Sequence, residues 1–249
     1  MKIIYILSII SLLMAPFRLM GQYVCYDNDG FTNVRKGPGT QYEIVDKVGK
    51  YEVFYSMSWL YFYEIPNDTL VTWMPFGRSI FDDIDKFIYG KNIKSLDDMP
   101  RIRGVRENDT LISCRNDTIS INLVLKGFDE NDYIVKDTVY DGKRYIQSID
   151  GEKIIGAFRY HGIKEGETID PKKISAFYKV ISALYIEKGN NKLYLPVNNL
   201  IGYINPSMIV HLGYENELYI FIHVGDGGES YGLYLSVVDG VIKYTLEWW

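Results

Sequence analysis

The sequence predicts an all-β protein with little helix, in which a small N-terminal domain is followed by an antiparallel β-sandwich-like domain. Aromatic residues make up 15% of the 249 residues and include 22 tyrosines, and aromatic and β-branched residues favour pleated, half-buried surfaces. Apolar and polar residues alternate over short segments such as 118–125. Turn pairs such as Asp141-Gly142 and Asp239-Gly240 separate such segments, which is typical of β-hairpins.

The charge balance excludes one class of partner. The chain carries 27 basic and 32 acidic residues, a net charge of −5. A binder of duplex nucleic acid needs a basic face, so no nucleic-acid partner is expected. Removal of residues 1–21 takes away Lys2 and Arg18 and no acid, which leaves 25 basic against 32 acidic residues and a net charge of −7.

Residues 1–21 have the composition of a secretory signal. Lys2 supplies the positive start, an apolar run covers residues 3–15, and Pro16 ends any helix. The run is shorter than the roughly 20 apolar residues that a membrane-spanning helix needs. The sequence therefore predicts a signal cleaved after Gly21, no membrane span after cleavage, and an exported protein that is periplasmic or extracellular.

The sharpest local pattern opens the mature chain. Residues 28–30 predict a turn in which Gly30 supplies a positive φ, and residues 31–34 predict a short strand. A second irregular turn at Gly37-Pro38-Gly39 precedes the extended residues 44–48.

This stretch resembles the bacterial SH3-like domain. The resemblance rests on Asn33-Val34-Arg35, the loop of residues 37–40, Tyr42 and the Ile44-Val45 strand, and residues 87–93 resemble the closing strand. Residues 78–86 are extra length before that strand. The resemblance covers residues 30–95 and implies a five- or six-stranded barrel over 22–95 that binds rather than reacts. Relatives are attached to secreted enzymes and surface proteins and often recognise cell-wall peptides or glycans. For localisation, a Gram-negative bacterial source is expected.

Aromatic side chains are the candidate ligand contacts of this domain, because they offer a large area and stack on sugar faces or peptide planes. Within residues 57–63, Trp59 and Tyr61 share one face, and we expect Leu60 and Phe62 on the opposite face to fill the core. Asn33 and the residue 37–39 turn are interpreted as structural. The predicted ligand-binding residues are Tyr42, Tyr55, Trp59, Tyr61 and Trp73.

Residues 96–104 are polar, contain a proline, and predict a linker to a second domain, residues 105–249. Segments of strand character recur there at the spacing of a sandwich or curled antiparallel sheet, and residues 196–201 predict one helical turn. The predicted strands are 118–125, 133–140, 143–149, 174–186, 193–195, 208–212, 217–224, 230–238 and 241–248. The domain loosely resembles an uncharacterised β-rich module that follows SH3-like domains in secreted bacterial proteins, a resemblance that implies no activity.

The two cysteines leave two alternatives open. In an oxidising compartment Cys25 and Cys114 could form a disulfide. The alternative is two buried free thiols, since their separation is not readable from the sequence.

No catalytic or metal-binding pattern stands out. Cys114 lacks the Asp-Cys-Ser start of wall-peptide hydrolases. His211 and His223 lie on adjacent predicted strands, yet no third ligand is evident, so zinc is not expected. Residues 226–229 lack the spacing of a calcium loop. We expect no enzyme activity, no cofactor and no metal.

One triplet recurs. Asn-Asp-Thr occurs at 67–69, 108–110 and 116–118, each time before an aliphatic residue. The pair Asp137-Thr138 also precedes an aliphatic residue. It resembles the Asp-Thr-aliphatic acceptor of O-glycosylation in certain Gram-negative gut bacteria, and the triplets are also N-glycosylation sequons. The alternative is a polar turn that leads into a strand. The candidate acceptors are Thr69, Thr110, Thr118 and Thr138.

Together these features predict an exported, non-catalytic binding protein for cell-envelope peptide or glycan. Two alternatives remain open. One is an inhibitor or immunity-type protein that binds a protein partner, an enzyme, through the second domain. The other is an envelope hydrolase with an unrecognised carboxylate pair, since acidic residues are abundant.

Overall fold

The computed structural model confirms the all-β class. It describes residues 21–56, 73–78, 85–127, 129–132, 134–149, 152–164, 178–196, 201–204, 206–224 and 231–248. Within these ranges no helix reaches seven residues, and neighbouring strands pair antiparallel, as in β-hairpins and meanders. The signal segment, residues 57–72 and nearly all of the predicted helical turn at 196–201 lie outside the described residues.

The N-terminal domain consists of two small sheets. Its strands are β1 (Gly21–Cys25), β2 (Phe31–Arg35), β3 (Ile44–Gly49), β4 (Val53–Ser56), β5 (Trp73–Pro75), β6 (Phe87–Tyr89) and β7 (Ile93–Ser95). Sheet A has the order β4-β1-β7 and sheet B the order β3-β2-β6-β5. A single bridge, Tyr55 to Gly77, joins them. Where a barrel was predicted, the described strands therefore form two facing sheets and no closed barrel.

The C-terminal domain contributes three sheets. Its strands are β8 (Arg101–Arg103), β9 (Val105–Asn108), β10 (Leu111–Arg115), β11 (Ser120–Gly127), β12 (Val135–Tyr140), β13 (Lys143–Ile149), β14 (Glu152–Lys164), β15 (Tyr178–Lys188), β16 (Asn191–Leu195), β17 (Ile201–Ile204), β18 (Ser207–Leu212), β19 (Leu218–Val224), β20 (Tyr231–Val238) and β21 (Val241–Trp248). Sheet C has the order β21-β20-β19-β18-β8, sheet D the order β16-β15-β11-β10-β9 with β17 also on β15, and sheet E the order β12-β13-β14.

Sheets C and D enclose one hydrophobic core, which is the predicted sandwich. Alternate residues of each strand point inward, as the twofold period of a strand requires. Along β19, for example, Leu218, Ile220 and Ile222 belong to this core, and they meet Leu123 and Leu184 from sheet D. The sandwich is thus held by apolar burial from both of its sheets.

Sheet A packs on the opposite face of sheet C, so the layers follow the order B, A, C, D. Along β1, Cys25 faces sheet B and Val24 faces sheet C. Along β19, Tyr219 lies on the face that meets sheet A. The cluster between sheets A and C contains Val24, Val53, Tyr55, Leu96, Met99, Tyr219, Tyr234 and Leu246. The two domains therefore share a buried apolar interface.

Residues 96–104, predicted as a linker, are an ordered part of this interface. A 3-10 turn spans Leu96–Asp98, and the Leu96 side chain is 1% exposed. Strand β8 then extends sheet C by pairing with β18. At Gly104 the chain passes to sheet D, where a Cβ atom would lie 2.8 Å from the Met208 carbonyl oxygen. A glycine is needed at this corner because the two backbones approach so closely.

An irregularity in β21 changes which face its residues occupy. Ile242 pairs with Val237 and packs on the sandwich core, whereas Tyr244 pairs with Ser236 on the opposite face. The register shift between them inserts Lys243 as an extra residue. Tyr244 consequently projects toward the N-terminal domain.

No helix in the part of the chain that the structure describes is long and apolar enough to cross a membrane.

Candidate binding site

The outer face of sheet B presents a row of aromatic side chains. Val34, Ile88 and Met74 lie side by side and fill the core between sheets A and B. The residues flanking them in each strand must point the other way. We call this outer surface the aromatic face, and it consists of Phe31, Asn33, Arg35, Trp73, Phe87 and Tyr89.

Exposure differs strongly among these rings. Phe31 is 38% and Tyr89 is 36% exposed, whereas Trp73 is 9% exposed. The Trp73 ring lies edge-on to Tyr89, with centroids 5.5 Å apart. Trp73 therefore lies beside Tyr89 as its cross-strand neighbour and offers little exposed surface of its own.

The loop between β2 and β3 is folded against the same face. The Arg35 guanidinium donates hydrogen bonds to the carbonyl oxygens of Thr40, at 3.0 Å, and Tyr42, at 2.6 Å. The Tyr42 ring lies over Gly37, where a Cβ atom would approach it to 2.5 Å. Tyr42 is 41% exposed. The glycine-rich turn therefore has a structural role, as interpreted from the sequence, and it presents Tyr42 at the end of the aromatic face.

Polar groups accompany the rings. The Oδ1 atom of Asn33 is buried and has no hydrogen-bond partner in the protein. Buried amide oxygens normally have a partner, so the hydrogen-bonding capacity of this atom is left unsatisfied within the protein. The Lys47 ammonium lies 4.1 Å from the centre of the Phe31 ring, a cation–π contact at the rim.

The five predicted ligand contacts differ in their exposure to solvent. Tyr42 is exposed as expected. Tyr55 is 2% exposed in the cluster between sheets A and C, so it faces the second domain. Trp73 is buried beside Tyr89, and Trp59 and Tyr61 lie outside the described residues. Phe31 and Tyr89 are exposed and were not among the predicted contacts, although alternation along residues 87–89 sets Tyr89 opposite the core residue Ile88.

The cysteines are two free, buried thiols. Cys25 belongs to the core between sheets A and B, where its Sγ atom lies 3.3 Å from Thr32 Oγ1. Cys114 belongs to the sandwich core and donates to the Met208 carbonyl oxygen. Of the two alternatives, the structure contains the free thiols and not the disulfide, because each side chain is enclosed in a different core. Burial raises the pKa of Cys25 and raises that of Cys114 to about 12.

The Asn-Asp-Thr triplets at 108–110 and 116–118 form the same turn. In each, the asparagine Oδ1 accepts hydrogen bonds from the backbone N–H and the hydroxyl of the threonine, Thr110 or Thr118. These Asx-turns border β10 on both sides and account for the repetition structurally. Both threonines are exposed, so modification there stays a prediction. Thr69 lies outside the described residues, and Thr138 lies in β12.

His211 and His223 both line one cavity between sheets A and C. Among the described residues no three histidine, cysteine, aspartate or glutamate side chains are grouped so as to hold a metal ion.

The sequence matches no family model, no curated protein and no solved structure.

Proposed function

We propose that this chain is an exported, non-catalytic binding protein that recognises cell-envelope peptide or glycan through the aromatic face of its N-terminal, SH3-like domain. Export is proposed from the signal-like residues 1–21, and the ligand class from the sequence resemblance together with the chemistry of the face.

One observation carries the proposal, namely exposed rings next to a buried acceptor that has no protein partner. Phe31 and Tyr89 offer apolar surfaces on which a sugar ring or a peptide plane stacks. The Asn33 Oδ1 atom accepts a hydrogen bond from a ligand hydroxyl or amide, which offsets the cost of its burial. Arg35 and Tyr42 bound the surface at one end. Rings that stack, with a polar group that sets orientation, are what peptide and glycan ligands need.

The thiols favour binding over nucleophilic catalysis. A cysteine nucleophile needs a low pKa and access to solvent. Burial raises the pKa of both Cys25 and Cys114, and both are fully enclosed.

The proposal is tested by co-sedimentation with purified peptidoglycan. We expect the intact protein to bind, and Tyr89→Ala and Tyr42→Ala each to weaken binding about tenfold, because each removes a stacking surface worth about 1–1.5 kcal/mol. The matched control is Tyr194→Ala, an exposed tyrosine (61%) on sheet D. No binding by the intact protein, or an equal loss in the control, would rule the proposal out.

A second variant separates binding from folding. Asn33→Leu removes an acceptor that has no protein partner while keeping a side chain of similar size. Its stability to unfolding should match or exceed that of the wild type, because a buried unpaired group is lost. Its binding should weaken, since a ligand donor then has no acceptor.

One observation favours the alternative of an inhibitor that acts through the second domain. Strand β16 forms the edge of sheet D, and its Leu193 and Tyr194 are 44% and 61% exposed. Open edges with apolar side chains accept a partner strand. If this alternative holds, an enzyme that co-purifies at one-to-one stoichiometry loses activity when bound, and Tyr194→Lys restores that activity. Peptidoglycan binding without such a partner would contradict it.

A further inference from the structure

A cavity of about 240 Å³ lies between the two domains, away from the aromatic face. One lining residue comes from sheet A, one from the Leu96–Asp98 turn and one from β8. The other lining residues come from β18, β19 and β20. Its lining is Gln22, Asp97, Arg101, Ile209, His211, Phe221, His223 and Tyr234. It is smaller than the roughly 300–1,000 Å³ sites of drug-sized ligands, so it has room for a molecule of amino-acid or dipeptide size.

The hydrogen bonding of His211 defines what this ring offers. Its Nδ1 atom lies 2.8 Å from the Leu96 carbonyl oxygen. A carbonyl oxygen only accepts, so Nδ1 carries the proton and Nε2 of the neutral ring holds a lone pair. The side chain is 6% exposed, and burial lowers its pKa, which favours the neutral form. His211 thus presents an acceptor.

Two opposite charges line the same cavity. Asp97 is the middle residue of the 3-10 turn, and Arg101 is the first residue of β8, where it pairs with His211 on β18. No ion pair within 4.0 Å joins them to each other or to another residue in the described ranges. A carboxylate and a guanidinium that share a cavity without pairing are each able to bind an opposite charge on a ligand.

The remaining wall is aromatic and flat. Phe221 stacks on Tyr234 with ring centroids 4.4 Å apart and planes at 18°. Two buried hydroxyls that do not line the cavity, those of Tyr55 and Ser236, have no hydrogen-bond partner in the protein. Tyr55 is the cross-strand neighbour of Gln22, and Ser236 lies two residues along β20 from Tyr234. The cavity therefore combines a buried histidine and aromatic side chains with two exposed charged side chains, Asp97 and Arg101, at its opening to solvent.

We propose that this cavity is a second ligand site, which binds a small zwitterion of amino-acid or dipeptide size. Its carboxylate binds the Arg101 guanidinium, its ammonium donates to the Asp97 carboxylate and to His211 Nε2, and its apolar part lies against Phe221. This site is independent of the proposed function of the aromatic face, because the two share no residue.

Calorimetric titration with L-alanyl-L-alanine tests the assignment, against the N-acetylated dipeptide, which lacks the ammonium, and the dipeptide amide, which lacks the carboxylate. We expect each blocked form to bind at least about tenfold more weakly, as the loss of one charge-assisted hydrogen bond predicts. Absence of binding by the free dipeptide at millimolar concentration, or equal binding of all three forms, overturns the assignment.

Two variants test which residue binds each charged group of the dipeptide. Arg101→Gln should bind the free dipeptide and its amide equally, because the partner of the carboxylate is gone. Asp97→Asn should bind the free and the acetylated dipeptide equally. Arg103→Gln and Asp98→Asn are matched controls on the same strand and turn that do not line the cavity, and they should behave as the wild type. If a control variant binds the free and the blocked dipeptide equally, while the matching Arg101→Gln or Asp97→Asn variant still prefers the free dipeptide, the assignment of these residues is wrong.

Discussion

The hydroxyl of Tyr26 donates a hydrogen bond to the carboxylate of Glu217, a residue 191 positions away in the other domain. Glu217 is 1% exposed and also accepts from the backbone N–H groups of Tyr214, at 3.1 Å, and Glu215, at 2.8 Å. A buried carboxylate surrounded by donors is a directional contact that apolar packing alone does not supply. It sets how sheet A lies on sheet C.

Replacement of Tyr26 by phenylalanine should destabilise the protein by about 1–3 kcal/mol, because Glu217 stays buried with one donor fewer. Denaturant unfolding of the two proteins measures the difference. Tyr214→Phe is the control, since its backbone N–H stays in the network and its ring is 55% exposed. Equal unfolding midpoints for Tyr26→Phe and the wild type would show that the contact contributes nothing.

We predict that a side chain at Gly49 would displace Tyr244. A Cβ atom there would overlap the hydroxyl of Tyr244, which reaches it from sheet C. Gly49→Ala should cost about 1–3 kcal/mol through overpacking at the domain contact. In a double-mutant cycle with Tyr244→Ala, the two effects should be clearly non-additive, because removal of the ring frees the space. Strict additivity would mean that the two residues do not touch.

Stability should fall on mild acidification because of His211. Its pKa is lowered chiefly by burial; the Leu96 carbonyl and Asp97 raise it, and Arg101 lowers it further. As the pH falls below about 6.5, the ordinary pKa of histidine, the unfolded chain therefore becomes protonated at this residue before the folded protein does. The contribution of neutral His211 to the free energy of unfolding is complete above that pH. Below it the contribution decreases, with a slope of at most about 1.4 kcal/mol per pH unit, until His211 in the folded protein is also protonated.

Unfolding free energies measured between neutral pH and the acid side of this window, for wild type and His211→Gln, check the prediction. Glutamine still donates to the Leu96 carbonyl but does not titrate. The variant should show the shallower pH dependence. Parallel curves for the two proteins would contradict the assignment.

The cysteines should react only after unfolding. In the native protein both thiols are buried, and a raised pKa leaves little thiolate to attack an alkylating reagent. Mass spectrometry after alkylation without reductant should find no label on the folded chain and one label on each of Cys25 and Cys114 after denaturation. An unfolded chain that stays unlabelled until it is reduced would demonstrate the disulfide instead.

Local signals in the sequence predicted the hairpins well. Asp141-Gly142 and Asp239-Gly240 connect paired strands, and all four residues have a positive φ. Such turns depend only on adjacent residues. Pairing between distant segments has no such local signature, so the strand β8 within the predicted linker was missed, because its partner β18 lies about a hundred residues further along the chain.

The difference between local signals and long-range packing also explains which residues of the candidate site were predicted correctly. Alternation along a strand divides its residues between two faces, but it does not tell which face another domain covers. Tyr55 looked like a ligand contact and is buried against sheet C, whereas Tyr89 in a short strand is exposed. The role of each ring follows from the packing of sheets A and C, to which residues far apart in the chain contribute.

Sheet C serves two cores at once, and this affects how the chain unfolds. Each of β19 and β20 places alternate side chains in the sandwich core and in the interface with sheet A. A fragment that lacked residues 21–95 would expose Tyr219, Tyr234 and Leu246 to water, at a cost that grows with the apolar area. The N-terminal and C-terminal halves are therefore coupled as one cooperative unit, which should melt in a single transition and should not be divisible at residue 95 without aggregation.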